Sequence, residues 1–324
     1  MLRAFFSRMA QTLFVLFGIS AMVFGVFFAT PGMDPTARIA GRGASPQVME
    51  TIRKEYGFDR SLPVQYGIMM KKLFITRDLA SYANRGEHVV LEILHAAPVT
   101  ASLVCGAAVI WIATSLLAGT LAAAMKGRMI DRMIMALGMV GISIPVFWLG
   151  EVMNMLTQSR YHDRWWFAWV PPPGYIPLTQ NPLGWFLSLV IPWCVLALAF
   201  TGIYSRVLRA DLIALSHEDF IRTARAKGLS PSRIMLRHSL RMALIGYTAL
   251  FGMDFAQLAG GGALMTEVVF GLPGVGHLTY QALSNMDLPL IMATVMYSAT
   301  FVVVANALVD VLHMALDPRI RPSR

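Results

Sequence analysis

The sequence predicts an all-α integral membrane protein. Six transmembrane helices are expected, with an external subdomain after the first and a cytoplasmic helix-turn-helix between the fourth and fifth. Three observations carry this. Of 324 residues, 56% are hydrophobic and only 14% charged, against roughly 25% charged in soluble domains. The deficit is concentrated: no Asp, Glu, Lys or Arg lies between Arg8 and Asp34, Glu92 and Lys126, Arg132 and Glu151, Arg164 and Arg206, or Asp287 and Asp310, and the stretch from Met242 to Thr266 holds Asp254 as its single charge. These stretches are continuously apolar and do not alternate with a period of two, which selects helices over a barrel.

Crossing ~30 Å of hydrocarbon takes about 20 helical residues. Spans are therefore expected near 9–29, 97–125, 133–156, 184–206, 242–265 and 289–310. The first is longer than the roughly 7–15 apolar residues of a secretory signal, and Ala29-Thr30-Pro31 is not a small-x-small cleavage site, so it reads as a retained helix. Residues 1–30 form the first unit. Residues 31–95 form the external subdomain, with turn signals at Pro31-Gly32, Gly41–Gly43 and Tyr56-Gly57 and helical patterning over 46–54. Residues 96–324 form a five-helix core carrying a cytoplasmic loop at 211–241. The second external loop, 158–182, places Tyr161, Trp165, Trp166, Phe167 and Trp169 before Pro171-Pro172-Pro173-Gly174, a composition suited to the lipid headgroup level. Cys105 and Cys194 fall inside apolar segments and read as small buried hydrophobes. No internal repeat is evident.

Basic residues set the orientation. With six spans both termini share a side, and that side holds sixteen of the 27 Lys and Arg, eight of them from Arg206 to Arg241. Both termini are expected in the cytoplasm. The same distribution accounts for the net charge of +9 and pI near 9.9 without a nucleic-acid partner.

The loop at 211–241 is the informative one. Ser216 reads as a helix N-cap with Asp219 three residues on, and Glu218 and Asp219 suit the positive end of a helix dipole. Phe220, Ile221 and Ala224 share a face, Gly228 ends the helix in a left-handed turn, and Ser230-Pro231 starts another helix toward the fifth span. Phe220 and Ile221 form an apolar knob in a charged loop. Such a knob either packs on its own bundle, lies on lipid, or enters a partner's groove.

The string Asp219-Phe220-Ile221-Arg222-Thr223-Ala224-Arg225-Ala226-Lys227-Gly228-Leu229 closely resembles the EAA loop of ABC-importer permeases, in the form of the dipeptide, oligopeptide and nickel permease family. So do Arg237-His238-Ser239-Leu240-Arg241, the run from Thr266-Glu267 through Pro273-Gly274-Val275-Gly276 followed by Asp287 and Pro289, and Asn306, Asp310 and Asp317-Pro318-Arg319-Ile320-Arg321. Pro31-Gly32 with Asp34, Tyr56-Gly57 with Asp59, Gln65-Tyr66, Asp78-Leu79 with Ser81, and Pro98 with Thr100 are similar to the external region of the B-type transmembrane subunit. Departures are an extra Met33, Arg77 and Ala80 where glycine is frequent, and Met242 and Gly246 where Asn and Pro are frequent. The last puts a kink at the start of the fifth span in question.

The resemblance implies a multi-pass subunit of the cell inner membrane. Its implied partners are a second, C-type permease, two ABC ATPase subunits at the EAA loop, an external substrate-binding protein and the lipid bilayer. It implies ATPase coupling through Asp219, Phe220, Ile221, Thr223, Ala224, Ala226, Lys227 and Gly228. The solute implied is a di- or oligopeptide, with nickel chelates, glutathione or another small solute as alternatives. No G-x-x-x-x-G-K-[ST] occurs, and Gly260-Gly261-Gly262 lies in an apolar span without a following Lys. ATP and Mg are therefore expected on partner subunits, and no catalytic, cofactor or metal site is expected in this chain. A stand-alone secondary transporter or channel is disfavoured because inverted repeats are lacking. Asp254, a carboxylate in mid-span, and Glu267 are the translocation-pathway candidates. Glu151 sits nearer a span end, and Asn306 and Asp310 share a helix face.

Overall fold

The computed structural model describes residues 2–28, 36, 44–55, 57–82, 88–158, 162 and 166–316. Expectations placed on Pro31-Gly32, Met33, Asp34, Gly41–Gly43, Tyr56, Tyr161, Trp165 and 317–321 lie outside these residues, and the side chain of Asp310 is likewise not described. The described residues are helical, joined by turns and one isolated antiparallel bridge from Ala80 to His88. In chain order the helices are α1 (Leu2–Phe28), α2 (Pro46–Glu55), α3 (Leu62–Lys71), α4 (Val89–Ala124), α5 (Met129–Ser143), α6 (Val146–Gln158), α7 (Pro182–Leu215), α8 (Asp219–Ala226), α9 (Pro231–Ile234), α10 (Leu240–Gln257), α11 (Leu264–Val269), α12 (Val275–Asn285) and α13 (Leu288–Leu316).

Among the described residues, four helical runs are long and apolar enough to cross a bilayer: α4, α7, the joined run Pro231–Gly262, and Leu288–Ala307 within α13. The expected third span is broken. Its halves, α5 and α6, are bent by 92° and reach the length and hydropathy of a span only together. Pro145 explains the break, because it lacks an N–H and forces the residue before it out of helical conformation. Ile144 is accordingly extended, at φ −82° and ψ 123°. α1 contributes a shorter apolar stretch, Leu13–Val26.

The core is the apposition of α4 and α7. Trp193 donates from Nε1 to the Ser102 carbonyl at 3.0 Å, Thr114 and Thr201 share a hydroxyl bond at 2.7 Å, and Gly119 faces Ser205 and Leu208. Residue numbers rise together along both helices, so the two run parallel. Whatever joins them must cross back, and α5 does run against α7: Arg209 pairs with Asp131, Gly202 meets Gly138, and Leu198 meets Gly141. α10 is also antiparallel to α7, with Gly246 near Asp211 and Asp254 bonded to Tyr204. Trp111 is fully buried at the centre, stacked on Phe200 at 4.6 Å and flanked by Tyr204 and Phe251. This aromatic group fixes the meeting of α4, α7 and α10.

A second apolar cluster holds the segment that follows α1. Met69, Leu73 and Leu79 pack with Phe24 of α1, Val89 and Ile93 of α4, Ala282 of α12 and Leu288 to Met296 of α13. Tyr66 of α3 bonds Ser20 of α1 at 2.6 Å, between the rings of Phe17 and Phe24. One expectation is corrected here. Cys105 and Cys194 lie on the outer surface and are not buried. Gly246 sits inside the continuous helix α10, and the break comes later, at Gly261, whose φ of 110° suits glycine alone. Gly260 beside it lies against the Ser298 carbonyl of α13, where a Cβ would come to 3.2 Å.

Glycine is required where backbones touch. A Cβ on Gly202 would lie 2.5 Å from the Gly138 carbonyl oxygen, whereas one on Gly246 would meet nothing nearer than 3.9 Å. Gly202→Ala is expected to cost about 1–3 kcal/mol by overpacking and to lower the thermal midpoint in detergent. Gly246→Ala is expected to leave it unchanged or raised, since alanine favours helix. Equal midpoints for the two variants would refute this account of the α5–α7 contact.

Candidate functional site

The hairpin of α8 and α9 carries the string singled out in the sequence. Its start differs from the expectation. Ser216 is the C-terminal cap of α7 and donates to the Ile213 carbonyl at 2.6 Å, and Glu218 is the N-cap of α8, through its backbone alone. Its end is as the residues predict. Gly228 has φ +75°, its N–H donates to Arg225 O, and the Leu229 N–H donates to Ala224 O, the paired bonds of a Schellman turn. Pro231 then occupies the first turn of α9. A π-helical turn, Met235–Ser239, carries the chain into α10.

The apolar knob is divided. Ile221 is only 1% exposed and packs with Ala224, Ile234 and Leu229, so it holds the two short helices together. Phe220 is 40% exposed, one residue round the helix and on its other side. The surface presented outward by α8 is therefore Phe220 with Asp219, Thr223, Ala226 and Lys227, all exposed. Asp219 is held by Arg222 at 3.4 Å, and Thr223 donates back to the Asp219 carbonyl. An inward apolar pair at i and i+3 makes the hairpin a unit whose outer face needs no packing of its own.

Two residues quoted above from distant parts of the chain meet at the other end of the bundle. Glu267 of α11 is fully buried. Its Oε1 accepts from the Thr100 hydroxyl of α4 at 2.6 Å, and its Oε2 accepts from the His277 N–H of α12 at 2.8 Å. Thr100 in turn accepts from the Val275 N–H at 2.8 Å. The first turn of α12 follows Gly274, which has no side chain to cap it. Thr100 and Glu267 cap it from outside, where a negative charge suits the helix dipole. Burial pushes the Glu267 carboxyl above its ordinary range, while the Thr100 hydroxyl and the N–H groups of His277 and Gly276 pull it back. Gly274 leaves room for this arrangement, because a Cβ there would press on the Glu267 carboxyl and shift it from its bonds. Glu267 thus has no surface facing an open path.

Asp287 is the parallel case. It accepts from the Leu290 N–H in the first turn of α13, and from the Ser81 hydroxyl and the Tyr82 N–H beyond α3. It joins the segment after α3 to the start of the last helix.

Asp254 differs from both. It is half-buried in α10, and the Tyr204 hydroxyl of α7 donates to Oδ2 at 2.7 Å. Its partner is a neutral hydroxyl and not a cation. Glu151 of α6 and Asn306 of α13 are exposed. Sequence reasoning missed Asp131, which is buried and bound by Arg209 through two nitrogens, at 2.6 and 2.7 Å, with the Gly127 N–H donating to it as well. Its only sequence signal was an acidic residue amid Lys126, Arg128 and Arg132. No group of three or more His, Cys, Asp or Glu able to hold a metal occurs among the described residues.

Comparison with known proteins follows the same layout. A family described as binding-protein-dependent transport system inner membrane component matches residues 115–322, and its N-terminal counterpart matches residues 1–104. A Brucella abortus (strain 2308) protein, provisionally named a peptide transport system permease, is 35% identical over 97% of both chains. The di/tripeptide transport system permease DppB of Pseudomonas aeruginosa (strain UCBPP-PA14) is 30% identical over 98% of both. The oligopeptide permease OppB of Haemophilus influenzae (strain ATCC 51907 / DSM 11121 / KW20 / Rd) is 30% identical over 99% of this chain and 100% of its own. Among solved structures, a chain of the inward-facing MetNI methionine ABC transporter superposes with a TM-score of 0.52 at 18% identity, covering 72% of this chain and 99% of that one. That likeness is one of fold.

Removing the Glu267 carboxylate strands donors in a place water does not reach, at about 1–3 kcal/mol each. Glu267→Ala is expected to lower the thermal midpoint more than Thr100→Val does, and to open the turn before α12 to protease. Glu267→Gln, which keeps an acceptor oxygen and the side-chain volume, is expected to recover part of the loss. An unshifted midpoint in Glu267→Ala would show that α12 is held by other contacts.

Proposed function

The chain belongs to the inner-membrane components of binding-protein-dependent transport systems, and on that premise we propose that it forms half of the translocation pathway of an ABC importer for peptides. The observation that carries the peptide reading is whole-length similarity, at 30–35% identity, to permeases named for peptide transport. The chain is an integral protein of the inner membrane and a transport component rather than a catalytic subunit.

The working unit pairs this chain with a second, C-type permease. Two ATPase subunits carry ATP and Mg below, and a binding protein delivers solute from outside. The chain crosses six times, with α1 as the first crossing and the bent α5–α6 pair as the third, and both termini are cytoplasmic. The parallel run of α4 and α7 supports the third crossing, because a chain leaving one and entering the other must return. Sixteen of 27 basic residues on one side support the orientation. Residues 31–95 help dock the binding protein or cap the external entrance, leaving 96–324 as the permease core.

Coupling runs through α8. Phe220 inserts into the ATPase, and Asp219, Thr223, Ala226 and Lys227 line the contact. Ile221, Ala224 and Gly228 hold the hairpin rigid, so that motion of the ATPase reaches α7 and α10 undamped. Asp254 is the pathway carboxylate: it lies mid-span, half-buried, and Tyr204 fixes its direction. Glu267 shapes the external end by positioning α12.

Coupling is tested by separating the outward residue from the inward ones in the transporter assembled with its ATPases. Phe220→Ala removes about 1.5–3 kcal/mol of burial in the partner and is expected to weaken ATPase association in pull-downs while the permease keeps its thermal midpoint. Gly228→Val meets no neighbour within 4 Å, so its effect is backbone strain of at least ~1 kcal/mol. It is expected to lose solute-stimulated ATP hydrolysis. Full transport by both variants would remove α8 as the coupling element.

A second test concerns Asp254. Asp254→Asn keeps the shape and the acceptor for Tyr204 while deleting the charge, so assembly is expected to be normal and peptide transport reduced. Wild-type transport across peptides of differing charge would make Asp254 a purely structural partner of Tyr204.

A further inference from the structure

The helical hairpin does not close fully on the bundle. Between it and the ends of α4 and α7 lies a cleft of about 510 Å³. Its walls are apolar, from Ala124 of α4 and Leu212 and Ile213 of α7 to Leu229 and Met235 beyond α8. Lys126 and Arg225 line it as its charged groups, and no acidic residue does. Neither cation forms an ion pair among the described residues. Arg225 makes one long contact, 3.4 Å, from Nη2 to the Ser216 carbonyl, which leaves the rest of its guanidinium donors uncommitted. Ser216, Ser232 and Ser239 complete the polar lining, with the Ser216 hydroxyl already donating to the Ile213 carbonyl.

Two ordinary roles are open to these cations, and neither accounts for both. The C-termini of α4 and α7 end at the cleft and favour positive charge, but each carries only about half an elementary charge. Two full cations outweigh two such ends and leave the cleft net positive. A solvated basic face would need no apolar walls, and this cleft has them on several sides. A cavity lined mostly by apolar side chains and carrying two cations, set at the ends of two spanning helices, matches a molecule with a phosphate head and hydrocarbon tails.

We propose that this cleft is a binding site for an anionic phospholipid, with the phosphate between Lys126 and Arg225 and the acyl chain along Ala124, Leu212, Ile213 and Met235. The lipid fills the space that separates the hairpin from α4 and α7. A bound lipid therefore stiffens the same hairpin that Ile221 holds from within. The proposal is independent of which solute is carried.

The test uses the purified transporter with all its subunits, exchanged into vesicles of phosphatidylethanolamine with a minor fraction of phosphatidylglycerol and analysed by native mass spectrometry. Wild-type is expected to retain phosphatidylglycerol above its share of the vesicle. The double variant Lys126→Gln/Arg225→Gln is expected to retain about 25-fold less, as loss of two surface cations implies, and Lys126→Arg/Arg225→Lys to retain it as wild-type does. Ala124→Trp fills the apolar part while leaving both cations, and is expected to lose the lipid. If the glutamine variant fails to assemble, the tryptophan variant decides. Undiminished phosphatidylglycerol on either the glutamine or the tryptophan variant would overturn the proposal. So would displacement of the lipid by millimolar inorganic phosphate with equal phosphate binding in wild-type and Ala124→Trp, which would make the cleft a site for the free anion.

Discussion

The parallel apposition of α4 and α7 is the constraint from which the other helices take their places. Gly106 makes it possible: a Cβ there would lie 2.0 Å from the Trp193 indole, so the ring fills the space a side chain would need. Trp193 then anchors on the Ser102 carbonyl. Because the two helices point the same way, the segment between them has to return, and the apolar helices described in that segment are α5 and α6. A proline in the middle of that segment bends it by 92° without preventing the return. Small residues at the contacts, Gly138 against Gly202 and Gly141 against Leu198, let α5 lie close enough to α7 for Asp131 to reach Arg209. In hydrocarbon such close packing takes the place of the hydrophobic drive between helices.

Buried carboxylates tie the ends of the bundle. Asp131, Glu267 and Asp287 each accept from an element far away in sequence, and Glu267 and Asp287 also satisfy the first turn of a helix. An acidic group at a helix start relieves unpaired N–H groups and complements the dipole together. The cost of burying the charge is thereby offset within one short network. Asp254, with a single hydroxyl donor and part of its surface open, lacks that compensation, which sets it apart from the three ties.

The hairpin divides its apolar residues between two tasks. Ile221 and Ala224 face inward and give the short helix α8 a core it could not form alone, since an isolated helix of this length is unstable. Phe220 stays outside. The proposed coupling function needs both halves: an outward side chain transmits force only if its helix does not yield. The left-handed Gly228 sets the angle between the two helices, and the cleft behind them marks where the hairpin is least supported by protein.

Much of this was legible in the residues alone. Uncharged stretches located the four long apolar runs and the bent α5–α6 pair, because hydrocarbon excludes unpaired charge at any position, whatever the neighbours. The Gly228 turn and the Pro231 start were legible for a similar reason, since both are local backbone effects. Legibility failed where the deciding partner was remote. Ser216 had the residue type of an N-cap, yet the preceding helix extended far enough to take it as a C-cap. Phe220 and Ile221 read as one knob, and only the position of Ile234 turned one of them inward. Cys105 and Cys194 read as buried because their segments are apolar, but which face of a spanning helix meets lipid depends on the neighbouring helices. Glu267, Thr100, Ser81 and Asp287 stood in the sequence as separate pieces. That they bond in pairs across the fold was decided by tertiary structure, because a hydrogen bond depends on distance in space and sequence spacing encodes distance only within one helix.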